Sequence, residues 1–107
     1  MLDHSPVVLT DAEGVIRFWS AGAETAFGYA AIDAVGQTLD LIVPAEYGDA
    51  HWAGFRRAMA AGAAAAEGQI GPFPVRRADG AVIPVPGRLT LIRRADGLTI
   101  GAMVAFG

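Results

Sequence analysis

The chain has 107 residues, 53% of them hydrophobic and 18% charged, with a formal net charge of −3. That length predicts a single domain over residues 1–107, and the apolar share is that of a core-former, not of a disordered tail. Cysteine is absent, which excludes disulfides, thiolate metal sites, a cysteine nucleophile and flavin photochemistry through a cysteine adduct, while the acidic balance leaves no broad basic surface for nucleic acid.

Pro6-Val-Val-Leu-Thr10 reads as a strand, Asp11-Ala-Glu-Gly14 as turn chemistry, and Val15-Ile-Arg-Phe-Trp19 as a second strand, so the first 19 residues form a hairpin. Ser20 is the N-cap of a short helix that Gly28 stops. A further helical turn over Ala30 to Ala34 ends at Gly36, and Thr38 or Asp40 caps another that Pro44 breaks. The longest helix follows, from Glu46 to Ala61, with Gly62 as its stop. The alanine-rich segment 63–68 reads either as an extension of that helix or as a mobile linker. Strands are predicted over Pro72–Arg77, Ala81–Ile92 and Leu98–Phe106. They are joined by Arg76-Arg-Ala-Asp-Gly80 and its repeat Arg93-Arg-Ala-Asp-Gly97, a strong hairpin signal used twice. Pro84 and Pro86 remove backbone donors within the middle strand, so that stretch lies at an edge or a bulge. The paired arginines read as solvated strand ends.

Two strands, short helices, one longer helix and three more strands make an α+β domain, a five-stranded antiparallel sheet with the helices on one face. Its largest cavity is expected between the sheet and the long helix. On that helix Tyr47, His51, Phe55 and Ala58 recur at helical spacing, and Gly54 borders the same face without a side chain. An inward imidazole beside glycine and alanine leaves room for a flat ligand, and neutral imidazole is the commonest metal ligand. A core histidine satisfied by a hydrogen bond is the other reading of the same pattern. Leu89, Leu91 and Ile83 are candidate cavity-lining residues, and Met103 on the last strand reads as a core methionine. Trp52 points about 100° away from His51 around the helix and reads as packing, on a partner or under the N-terminal segment. Exposed apolar positions on the first and last strands, Phe106 included, favour self-association. No Ser-His-Asp arrangement, phosphate-cradling glycine loop or histidine cluster is visible, so no enzyme is expected. Without a basic leader or an apolar run of membrane length, the expected location is the cytoplasm, with no membrane contact.

The order of elements resembles the PAS domain, a sensory module of signal transduction. The resemblance runs through Asp11-Ala-Glu-Gly14, Val15-Ile-Arg-Phe-Trp-Ser20, Ala23-Glu-Thr-Ala-Phe-Gly-Tyr29, Val35-Gly36, Leu39 to Pro44 and Arg77-Ala-Asp-Gly80 to Val85. Ser20 stands where family members usually carry asparagine. The stretch Pro44-Ala-Glu-Tyr47 to His51 to Arg57-Ala-Met-Ala-Ala-Gly62 is similar to the corresponding helix of haem-binding FixL-type oxygen sensors. That similarity implies b-type haem held by an axial His51, with Arg57 on a propionate, Tyr47, Gly54, Phe55, Ala58, Leu89 and Leu91 around it, and Met103 as a candidate sixth ligand. It implies a gas-sensing domain answering to a diatomic gas or a redox state, dimeric or docked on a signalling output protein. Gly71 and Ala65 stand where FixL-type proteins carry basic residues, so oxygen selectivity is not implied. The alternatives are a haem-free PAS dimerisation or interaction module, holding an organic ligand or none, and a domain with non-covalently bound flavin.

Overall fold

The computed structural model describes residues 4–107. Met1, Leu2 and Asp3, on which part of the leader and domain-span readings rest, lie outside the described residues. The elements run β1 (Val7–Asp11), β2 (Ile16–Trp19), α1 (Ala21–Phe27), α2 (Ala31–Ala34), two 3-10 turns (Leu39–Leu41 and Ala45–Tyr47), α3 (Gly48–Ala61), β3 (Ile70–Arg76), β4 (Val82–Arg93) and β5 (Thr99–Phe106). The strands form one antiparallel sheet in the order β2-β1-β5-β4-β3, so the N-terminal hairpin docks on the last strand and closes the sheet expected from sequence.

Local chemistry explains the boundaries. Ser20 Oγ accepts from Ala23 N at 3.1 Å, capping α1, and also accepts from Val7 N at 2.8 Å, which ties the helix start to β1. Thr38, not Asp40, caps the turn at Leu39–Leu41, its hydroxyl accepting from Asp40 N. α3 starts at Gly48 and not at Glu46. Pro44 stands at the N-cap of a separate 3-10 turn, Ala45–Tyr47, and Tyr47 offers α3 no side-chain cap. Gly62, at φ +70°, stops the helix as expected. Three hairpin turns use an aspartate in the same way. Asp11 Oδ1 accepts from Glu13 N and Val15 N, Asp79 Oδ1 from Ala81 N, and Asp96 Oδ1 from Leu98 N.

The proline-rich strand pair solves its missing donors by register. Pro72 sits opposite Pro86 and Pro74 opposite Pro84, which leaves the alternate pairs, Phe73 with Val85 and Val75 with Ile83, to carry the ladder. β5 joins β4 from Gly87 onward and Gly107 N donates to the Pro86 carbonyl at 2.7 Å, so Pro86 stands at the end of that pairing and Pro84 beyond it. The expected edge character is therefore local to the start of an otherwise internal strand.

The main core gathers where α1 meets the sheet. Phe27 is fully buried, with its ring 5.8 Å from Trp19 and 5.1 Å from Phe106, both edge-on. Trp19, on the edge strand β2, turns its ring into this core, and its Nε1 donates to the Tyr29 carbonyl at 2.9 Å. Phe106 was expected at an exposed self-association surface, but it is 5% exposed. Its side chain falls on the helix-covered face, where Phe27 and Phe73 enclose it. Among the described residues no helix is long and apolar enough to cross a membrane.

Candidate functional site

Between α3 and the sheet lies a cavity of about 520 Å³, within the size range of small-molecule sites. Its floor is the inner face of the sheet: Val8 and Thr10 of β1, Phe73 and Val75 of β3, Leu89 and Leu91 of β4, Ala102, Val104 and Phe106 of β5. The two-residue alternation of strand side chains produces this set. The roof is α3, which contributes Ala50, His51, Gly54, Phe55, Arg57, Ala58 and Met59. Ala63 to Ala66 close one side, and Leu39 and Ile42 another. Thr10, His51 and Arg57 are the lining residues with a hydroxyl, imidazole or charged group. The Thr10 hydroxyl already donates to the Asp11 carbonyl, leaving His51 and Arg57 as the uncommitted polar groups.

His51 is half-buried on this wall. Its ring stands 5.0 Å from Trp52, edge-on, and 6.1 Å from Phe55. Nδ1 is buried with no hydrogen-bond partner, so the satisfied core histidine allowed by the sequence is not what forms. Burial pushes the imidazole below its ordinary value, opposed by the nearby Asp40 carboxylate. The neutral ring that a metal or a hydrogen-bonding ligand would need is thereby favoured. Gly54 faces open space, since a Cβ placed there would meet no heavy atom within 4 Å. Arg57 is exposed at the rim. Among the described residues no group of three or more His, Cys, Asp or Glu could hold a metal ion, so any metal here would depend on His51 and its own cofactor.

The helix is positioned from below by Trp52. Its Nε1 donates to Asp40 Oδ1 at 2.7 Å, and its ring lies under the β1–β2 turn, where a Cβ on Gly14 would come within 2.4 Å of it. The expectation that Trp52 packs beneath the N-terminal segment is met, and Asp40 serves as its acceptor.

Seven of the sequence-selected residues meet at the cavity: His51, Gly54, Phe55, Arg57, Ala58, Leu89 and Leu91. Tyr47 does not; it is 47% exposed in the 3-10 turn before α3. That turn has three residues per revolution, which breaks the helical phase from which an inward Tyr47 was inferred. Met103 also lies off the cavity. It falls between the lining residues Ala102 and Val104 and pairs with Leu9 and Thr90 on the opposite face of the sheet, so it is not placed to be a sixth ligand. Ile83 pairs with Val75 but does not line the cavity. Conversely, Thr10 and the four alanines 63–66 line it and carried no sequence signal.

Residues 63–68 neither extend α3 nor run free. Glu67 fixes them to the sheet, its carboxylate accepting from Leu91 N at 2.9 Å and from the Arg93 guanidinium at 2.8 Å. The first arginine of each repeated pair is committed within the fold, although Arg93 remains exposed at the end of its strand. Arg76 donates to the Asp40 carbonyl at 2.7 Å and Arg93 to the Gly62 carbonyl at 2.8 Å.

The sequence model described as the PAS fold matches residues 4–106. An uncharacterised protein of Azorhizobium caulinodans is 34% identical over 87 residues, which is 78% of this chain but only 12% of that protein, so the chain spans about an eighth of this relative's length. Among solved structures, the PAS domain of a protein from Colwellia psychrerythraea superposes with a TM-score of 0.80 at 20% identity, covering 98% of this chain and 86% of that one. The PAS domain of the Cronobacter turicensis RpfR quorum-sensing receptor, in complex with C12:0, gives 0.77 at 14% identity over 99% and 94% of the two chains. At these identities the structural likeness speaks for the fold.

Proposed function

The chain belongs to the PAS family, and from that premise we propose that this signal-sensor domain binds haem b in the cavity beneath α3, with His51 as the axial ligand. One observation carries the reading: His51 lines an apolar cavity with its imidazole favoured neutral and no hydrogen bond committing it elsewhere. The neighbouring residues fit the group. Gly54 and Ala58 leave the helix face low enough for a flat macrocycle, and Arg57 at the rim offers a charge-assisted partner to a propionate. Metal-bound histidines usually donate the second ring nitrogen to an acceptor. Here Nδ1 has none, and contacts with Trp52 and Phe55 hold the ring instead. Haem iron, when bound, supplies an axial position that answers to a diatomic gas or to redox state.

What the chain itself does is hold the group and transmit its state. Leu89, Leu91, Ala102 and Val104 touch the cavity, while their strand neighbours Arg88, Thr90 and Met103 face the other side. A displacement of the inner wall is therefore a displacement of the outer face. Across β2, β1 and β5 that face carries an apolar patch, with Leu9 in register against both Phe18 and Met103 and Phe18 49% exposed, which suits a second copy of the domain or a signalling output protein.

The second reading is a haem-free PAS module taking an apolar molecule with a carboxylate, or no ligand, as an interaction or dimerisation domain. It is favoured by a wall in which Arg57 is the one cation, and by the C12:0 complex of the similar RpfR domain. Non-covalent flavin is a third. Colour separates them: red-brown for haem, yellow for flavin, none for the last. The decisive experiment is haem titration of the purified chain beside His51→Ala. A Soret band saturating at one haem per chain and lost in the variant, with circular dichroism unchanged, is the expected result. The same band in both proteins would sink the assignment.

A further inference from the structure

We propose that residues 63–67 form a gate through which ligand enters the cavity, and that Arg93 and Glu67 latch it shut. This rests on the reading that the cavity takes a ligand but not on which ligand that is.

The remaining walls are mostly helix and strand, whereas Ala63 to Ala66 are four consecutive lining residues outside any helix or strand. Ala63, Ala65 and Ala66 are also exposed, so at this side a single layer of chain separates cavity from solvent. Both ends of the segment are glycines in the left-handed region, Gly62 at φ +70° and Gly68 at φ +81°. Hydrogen bonds from the segment to the sheet run only through those ends. Gly68 N donates to the Leu89 carbonyl at 2.8 Å, Glu67 accepts from Leu91 N, and Arg93 reaches both Gly62 O and Glu67. In between, the backbone bonds of residues 63–66 are local, Glu67 N to Ala64 O and Gln69 N to Ala66 O. One guanidinium thus pins both ends of a segment whose alanine side chains make no hydrogen bonds and bury little. Such a segment opens at lower free energy than the sheet or α3. Breaking the Arg93 clamp removes charge-assisted bonds at both hinges together.

Because the chain has no cysteine, a single introduced one reports access without any ligand. Ala102→Cys places a thiol on the sheet floor, at a lining position that is 7% exposed, and Ala58→Cys repeats the measurement from the roof. Ala23→Cys, at a fully buried position on α1 and away from the cavity, reports general unfolding. Each is reacted with a methanethiosulfonate reagent, alone and combined with Arg93→Gln or Glu67→Gln. The expected result is labelling at positions 102 and 58 accelerated at least about threefold by either latch variant, with position 23 unchanged. Added salt should accelerate position 102 in the parent but not in the Arg93→Gln background. Unchanged labelling at 102 and 58, or equal acceleration at all three positions, would overturn the gate. Neither result depends on haem, so loss of the His51 assignment and loss of the gate are separately visible.

Discussion

Gly54 offers a test in which stability and ligand binding should move in opposite directions. It sits inside α3, where glycine is destabilising relative to alanine by about 1 kcal/mol through the backbone freedom it loses on folding. Such a glycine is ordinarily kept because something packs against it. Here a Cβ would meet no heavy atom within 4 Å, so only the cavity lies in front. Gly54→Ala should therefore stabilise the ligand-free domain by about 0.5–1 kcal/mol. For a domain of this size that is a rise in Tm of about 2–8 °C. Gly54→Leu adds further apolar atoms to a wall that can take them, at about 0.8 kcal/mol per buried methylene less the lost rotamer freedom. It should be at least as stable as the parent while obstructing the space between helix and sheet. Urea and thermal unfolding of the three ligand-free proteins, followed by haem titration, measure both effects. A Gly54→Ala protein less stable than the parent would refute the claim of open space. A Gly54→Leu protein that still takes one haem per chain would refute the claim that this face of α3 is the ligand wall.

Gly101 should behave in the opposite way. A Cβ there would come within 2.1 Å of the Thr10 carbonyl oxygen, a backbone atom that cannot yield without separating β1 from β5. Gly101→Ala is expected to destabilise the domain by about 2–4 kcal/mol in urea unfolding, and a change below about 0.5 kcal/mol would show that the two strands can part freely. Glu67 should give the domain an acid-side pH dependence. The Arg93 guanidinium, then the Leu91 amide, holds its carboxyl below the ordinary value of 4.5 against a small opposing effect of burial. Below that value the unfolded chain binds the proton first. The Glu67 contribution is therefore complete above 4.5 and is lost as the pH falls through the lower folded value. The stability difference between parent and Glu67→Gln, measured in urea, should be flat at neutral pH and shrink in acid; a difference that grew in acid would reverse the assignment.

Where local chemistry decides structure, the sequence was readable. Each Asp-Gly turn, the Ser20 cap and the Gly62 stop form as the residue types require, and the face of α3 carrying His51, Gly54, Phe55 and Ala58 follows from helical spacing alone. The misplacements occur where periodicity fails. Tyr47 was counted in phase with a helix that begins one residue later. Met103 lies in Ala102-Met-Val-Ala-Phe106, which is apolar on both faces, so nothing in the pattern marks which side is inward until pairing with β1 and β4 fixes it.

The latch was hidden for a related reason. Arg76-Arg-Ala-Asp-Gly80 and Arg93-Arg-Ala-Asp-Gly97 are identical as text, and in both the second arginine pairs with the turn aspartate, Arg77 with Asp79 and Arg94 with Asp96. The first arginine of each copy instead meets whatever the topology brings to the end of its strand. For Arg76 at the end of β3 that is the carbonyl of Asp40. For Arg93 at the end of β4 it is the C-terminus of α3 together with Glu67, the two ends of the alanine wall of the cavity. Alanine carries no periodic or chemical signal, so the wall itself could not be read from Ala63 to Ala66. Its role comes entirely from a repeat that the fold uses once as a brace and once as a clasp.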